Sequence, residues 1–167
     1  MELRVVIGLC CIAMIGFFSC SHSYYIVRHA EKAVQEANMT SDVPLTEKGQ
    51  ERAEAIKEIL KTKKIRYVFS TNTIRTKLTA KPTADYFHLS TIIYGPRPDS
   101  AFIRILKSRK KNVLIVGHSN TVDDIVNMLC GKKLMPGDLP DNEYNRLLIV
   151  KMKGKKTYFI DNVIFKP

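Results

Sequence analysis

Two histidines and two arginines carry the chemistry open to this sequence. Arg28 and Arg75 are guanidiniums, whose forked N–H groups grip a tetrahedral oxyanion with paired donors. His29 and His118 are imidazoles, one able to attack and the other able to donate to an equatorial oxygen. Phosphoryl transfer needs an in-line nucleophile, fixed positive charge around three equatorial oxygens, and little else. Imidazole supplies the first without a metal, because its ordinary pKa of about 6.5 leaves it largely unprotonated at neutral pH. A phosphohistidine on His29 is labile, so water can finish the cycle. Zinc held by His29 and His118 is disfavoured: no ligand-spaced Cys or carboxylate cluster accompanies them, and two Arg repel a cation. No metal and no cofactor is expected. His22 and His88 fit no pattern and read as surface residues, while Asp123 and Asp124 read as favourable helix-start charges.

Short apolar runs alternate with helical periodicity along the chain. Strands are expected at 24–27, 67–69, 91–94 and 113–116, the last being the most apolar and hence central. After the first strand, Thr46 is the expected N-cap of a helix that carries Ala53, Ile56, Ile59 and Leu60 on one face. Further helices are expected at 73–86, 100–108 and 121–129, the last capped by Gly131. A Pro-containing loop over 132–143 leads to two strands, 146–152 and 157–165, joined as a hairpin. This order predicts an α/β fold in three layers, a mostly parallel sheet with helices on both faces that ends in a β-hairpin. In such sheets ligands bind beyond the carboxyl ends of the strands. Arg28-His29, Ser70-Thr71 and Gly117-His118 all end strands, so they point at one crevice.

Four blocks of this sequence resemble the histidine phosphatase superfamily. Residues 25–31, with Arg28-His29-Ala30, resemble its Arg-His-Gly signature, Ala30 standing for Gly. Leu45-Thr46-Glu47-Lys48-Gly49 is similar to its Leu-Thr-x-x-Gly helix start, and Gly117-His118-Ser119 to its Gly-His-Ser block. Residues 70–80 resemble the block that carries the family's second Arg, here Arg75, with Leu78 in place of Gln. The resemblance implies a phosphoglycerate mutase-like fold and a phosphate pocket of Arg28, Arg75 and His118, with His29 as the phosphorylated nucleophile. In size the chain is similar to the short group that includes single-domain phosphohistidine phosphatases. Larger members place an acid in the segment after the second helix, which makes Asp99 the first candidate proton donor. Glu31, beside the nucleophile, is the second, and Asp138 and Glu143 are outsiders.

Of the 167 residues, the first twenty stand apart from this domain. One Arg precedes an uncharged apolar run from Val5 to Phe18, which is too short to span a bilayer and has the layout of a secretory signal. Cys20 follows small Ser19 and is a candidate lipidation site; cleavage after Ser21 and an uncleaved anchor are the alternatives. The expected division is therefore a signal peptide or lipoprotein signal at 1–20 and one domain at 21–167. The domain would be exported, periplasmic or membrane-anchored through an N-terminal lipid. It keeps one cysteine, Cys130, which reads as an inert core residue.

The net charge of +11 belongs to the domain, since Glu2 and Arg4 cancel. Lysine clusters at 61–64, 109–111, 132–133 and 151–156 favour anionic partners. The absence of interleaved aromatics or a nucleic-acid motif argues against nucleic acid. The expected partner is a small phosphorylated substrate. The expected function is metal-independent hydrolysis of a phosphomonoester or a related phosphoryl compound through phospho-His29. The alternative is a catalytically weak member of the same fold that binds phosphate or another anion.

Overall fold

The computed structural model of the chain describes residues 21–35, 37 and 40–164. The expected signal segment, Cys20 included, lies outside the described residues. Strands and helices run β1 Ser21–Arg28, α1 Glu47–Leu60, β2 Tyr67–Thr71, α2 Ile74–Tyr86, β3 Thr91–Tyr94, α3 Ser100–Arg109, β4 Val113–Gly117, α4 Val122–Cys130, β5 Arg146–Lys153 and β6 Lys156–Val163. One sheet takes the order β3-β2-β4-β1-β5-β6. Its first four members are parallel, and β5 turns antiparallel against β1 and closes the hairpin with β6.

The two-residue alternation of a strand sorts the layers. Tyr24 and Ile26 of β1 face a core built with Phe102 and Leu106 of α3 and Ile125 and Leu129 of α4. Tyr25 and Val27 face the other way, onto Ile56 and Leu60 of α1 and Ala80 and Ala84 of α2. β4 is buried along its whole length, and each of its large apolar side chains contributes roughly 1.5–3 kcal/mol by leaving water. Thr46, Thr73 and Asp99 cap α1, α2 and α3 through side-chain oxygens, and Gly131 ends α4 at a left-handed φ of 66°.

β1 starts three residues before the apolar run that predicted it. Ser21, His22 and Ser23 pair with Lys153, Met152 and Lys151 of β5, because ladder bonds join backbones and ask nothing apolar of the side chains. The same pairing half-buries His22, expected on the surface, whereas His88 is exposed. Cys130 is half-buried against the core, and burial raises its thiol pKa against the opposing charges of Lys132 and Lys107.

The register of β1 against β4 decides the rest. Arg28 lies opposite Gly117, so the next residue of each strand, His29 and His118, leaves the sheet beside the other. β2 flanks β4 on its other side with Ser70 opposite Val116, which brings Thr71 to the same end.

Candidate active site

His29 is buried, 4% exposed, and its rings and bonds are set by backbone. Its N–H donates to Gly117 O at 2.9 Å, which continues the β1–β4 ladder by one residue. Nδ1 lies 2.8 Å from Ala30 O. A carbonyl only accepts, so Nδ1 carries the proton and the Nε2 lone pair is left for attack. Burial first, then the charges of Arg28, Arg75 and His118, lower the His29 pKa to about 3 against the opposing pull of the Ala30 carbonyl.

Ala30 is held in turn. Its N–H donates to Thr79 Oγ1 at 2.9 Å, and the Thr79 hydroxyl donates to Arg75 O at 2.8 Å, which ties the nucleophile's loop to α2. The Ala30 methyl packs with Leu45, Ala53 and Leu78 in a small apolar cluster. Leu45 to Gly49 wraps the backbone of the following residue. Thr46 N donates to Glu31 O at 2.9 Å, and a Cβ on Gly49 would sit 2.3 Å from that same oxygen. Only a glycine lets α1 approach so closely.

His118 faces His29 with ring centroids 5.4 Å apart. The Thr71 hydroxyl donates to Thr76 Oγ1 at 3.1 Å and so accepts from His118 Nε2 at 2.9 Å. Burial, then Arg75 and Arg28, lower the His118 pKa to about 4, and Asp42 opposes them. A Cβ on Gly117 would meet Tyr94 Oη at 2.8 Å, which explains the Gly before this histidine. The N–H groups of Thr121 and Val122, at the start of α4, turn back to His118 O.

Both arginines line the same cavity as the histidines, about 1020 Å³ in volume. Arg28 Nη1 donates to Pro140 O at 2.8 Å and Asp141 O at 3.0 Å, which fastens the 131–145 loop as one wall, and the guanidinium lies 4.3 Å from the centre of the Tyr144 ring. Arg75 stands at the start of α2, 3.5 Å from Asp42 Oδ1, and the same oxygen accepts from Ile74 N. Nε of Arg28 and Nε of Arg75 are buried with no hydrogen-bond partner among the described residues. Arg28, Arg75 and His118 line this cavity together, and N–H groups of these kinds are the donors that a tetrahedral oxyanion takes.

The candidate acids separate. Glu31 turns away from the cavity and makes a two-bond ion pair with Arg52, 2.7 and 2.6 Å, beside a different depression. Partial burial opposes its charge, but the Arg52 bonds outweigh that and hold its pKa below the usual carboxylate value. An ionised, paired carboxylate has no proton to give, so the structure removes Glu31 as a donor. Asp99 lines the cavity, exposed, with Oδ1 accepting from Phe102 N at 2.7 Å as the cap of α3. Asp138 also lines it and Glu143 does not. Asp123 is buried in the first turn of α4, outside the cavity, and desolvation raises its pKa. Thr71, expected at the crevice as a strand end, holds His118, while Thr79, Asp42 and Tyr144 position site residues without having been singled out in the sequence. The local signal for Thr79 is its place four residues after Arg75, on the same helix face.

The profile of the histidine phosphatase superfamily (branch 1) matches residues 24–97. No curated protein sequence matches the chain. Among solved structures, the protein histidine phosphatase SixA in complex with tungstate has a TM-score of 0.64 at 24% identity, over 83% of this chain and 94% of its own. The mycobacterial glucosyl-3-phosphoglycerate phosphatase has a TM-score of 0.57 at 12% identity, over 86% and 98%. Phosphoglycerate mutase from Bacillus anthracis has a TM-score of 0.57 at 14% identity, over 86% and 93%. The segment that the profile matches holds Arg28, His29 and Arg75, and these solved structures share with the chain a phosphoglycerate mutase-like fold.

Proposed function

We propose that the chain is a metal-independent phosphatase that hydrolyses phosphomonoesters or a related phosphoryl compound through a phosphohistidine on His29. The observation that carries this reading is the Nδ1–H to Ala30 O bond, which frees the Nε2 lone pair of His29 in a cavity that Arg28, Arg75 and His118 also line. The phosphoryl dianion sits between Arg28, Arg75 and His118. Nε2 of His29 attacks phosphorus, the N–P bond forms as the bond to the leaving oxygen breaks, and that oxygen takes a proton from an acid or from water. Water then attacks the phosphohistidine, the N–P bond breaks, and inorganic phosphate leaves. The bound dianion favours the protonated form of His118, which then donates to an equatorial oxygen. The family contains both phosphatases and mutases, and the SixA likeness favours the former. Residues 1–20 would carry the domain out of the cytoplasm, as a cleaved signal or a lipid anchor on Cys20.

One observation favours a second reading, a weakly catalytic anion-binding member. Among the described residues, the carboxylates that line the cavity are Asp99, Asp138 and Asp141, all exposed, and none is a buried acid ready to protonate a poor leaving group. Activated aryl phosphates need no such acid and alkyl phosphates do. The test measures turnover of both by the native chain and by His29→Ala, with and without chelator, and traps the intermediate as acid-labile radioactive phosphate on the protein. The phosphatase reading expects both substrates to be hydrolysed by the native chain, neither by the variant, and no chelator effect. Turnover of the aryl ester alone selects the weak member, and normal turnover in the variant removes His29 from the chemistry.

A further inference from the structure

The four parallel strands begin at one end of the sheet and finish at the other, so the domain has two poles. The site occupies the pole where strands finish. All four lysine clusters lie at the opposite one. Residues 61–64 follow α1 into the start of β2, residues 109–111 end α3 before β4, and residues 132–133 follow the C-cap of α4. Residues 151–156 form the tip of the β5–β6 hairpin, and Lys153 pairs with Ser21 at the start of β1. Contacts join the clusters into one surface. Asn112 accepts from Ser23 N at 2.8 Å and donates to Lys63 O, and a single cavity of about 670 Å³ is lined by Lys107, Lys110, Gly131 and Gly154.

This pole carries little to neutralise it. No Asp or Glu falls inside any of the four clusters. Of their lysines, only Lys61 has an ion-pair partner, Glu58, among the described residues. The chain also reaches this pole directly from its apolar run, because only Ser19 and Cys20 separate Phe18 from the first residue of β1.

We propose that this basic pole rests on the anionic headgroups of a membrane that receives the N-terminal segment, with the site facing away from the lipid. Clustered lysines next to a membrane-bound segment are attracted to an anionic surface, each by roughly a fivefold factor in partition. A duplex would be drawn by the same charge, but the adjoining apolar run favours lipid. The eight residues of β1, at about 3.3 Å each, hold the site about 25 Å from the headgroups. That exceeds a Debye length of about 8–10 Å, so the lipid charge does not reach the reacting phosphate. On the phosphatase reading, the substrate is therefore dissolved in the aqueous phase and is not a headgroup of the same membrane.

The test partitions the full chain onto vesicles of phosphatidylcholine alone and of phosphatidylcholine mixed with phosphatidylglycerol. The apolar run contributes to both, so the ratio of the two constants reads the basic pole. The expected ratio is at least about tenfold at low salt, collapsing at high salt and in the quadruple variant K132E/K133E/K153E/K155E. All four positions are exposed, and an unchanged melting temperature confirms that the variant is folded. Equal partition of the native chain overturns the proposal, as does a preference that survives in the variant. A duplex oligonucleotide that strips the native chain from anionic vesicles at equal charge concentration also overturns it and reassigns the pole to nucleic acid. Partition is read without turnover, so the outcome is independent of the phosphatase reading, whose failure would appear only in hydrolysis.

Discussion

If His29 is a buried neutral imidazole, acid should unfold this protein in a way that one substitution removes. Its pKa falls from 6.5 to about 3 in the folded state, through burial first and then the neighbouring cations, with the Ala30 carbonyl opposing. The unfolded chain restores the ordinary value. Between these two values the unfolded state binds a proton that the native state refuses, so stability present above pH 6.5 is lost as pH falls below it. From about pH 7 to about pH 5, native His29 stays neutral while the unfolded imidazole becomes almost fully protonated, a loss of about 2 kcal/mol from this residue. His118, lowered to about 4, acts in the same direction, by less because its ring is more open to solvent. Urea unfolding at both pH values in phosphate-free buffer measures the difference, with His29→Gln as the comparison because an amide does not titrate. The variant should lose about 2 kcal/mol of the pH-dependent change. Added phosphate should flatten the native slope, since a bound dianion draws protons onto both rings. An identical pH dependence in native protein and variant would refute the buried neutral nucleophile.

Arg75→Ala should raise KM and also slow turnover of an aryl phosphate, with roughly 10²–10³-fold lost in kcat/KM, because equatorial oxygens share more charge in the transition state; steady-state kinetics that change in neither quantity would contradict the pocket. Gly49→Ala places a methyl 2.3 Å from Glu31 O, and thermal melts should show a loss of about 1–3 kcal/mol from overpacking. Asp99→Asn keeps a helix cap but loses the acid. If Asp99 is the donor, alkyl phosphate turnover falls by roughly 10²–10⁴-fold while aryl phosphate turnover is spared, and equal effects on both exclude it. Glu31→Gln should leave the turnover of both esters unchanged, with some stability lost from the broken Arg52 pair; a selective loss on the alkyl ester would restore Glu31 as the donor.

Glu31 shows why adjacency in sequence misled. It stands two residues from the nucleophile, yet the backbone between them is pinned by Thr79 on one side and by Thr46 and Gly49 on the other, and its side chain falls toward Arg52 on α1. Each of those partners is at least fifteen residues away in the chain. Asp42 and Tyr144 were hidden for the same reason: a polar or aromatic residue in a loop has no period to reveal it. The early start of β1 was hidden too, because Ser21 to Ser23 earn their place through backbone pairing with β5 and carry no apolar pattern.

The sequence by itself determined the elements, their order, the two-faced packing of the sheet and the four residues set at strand and helix ends. Those follow from local periodicity, caps and the handedness of crossovers, which a chain carries in consecutive residues. Only the tertiary structure decided that Arg28 lies opposite Gly117, that the His29 proton sits on Nδ1, that two guanidinium nitrogens are buried without partners among the described residues, and that the lysine clusters share one pole. Register, tautomer and ionisation depend on which distant atoms exclude water from a group, and that information exists only once the strands are side by side.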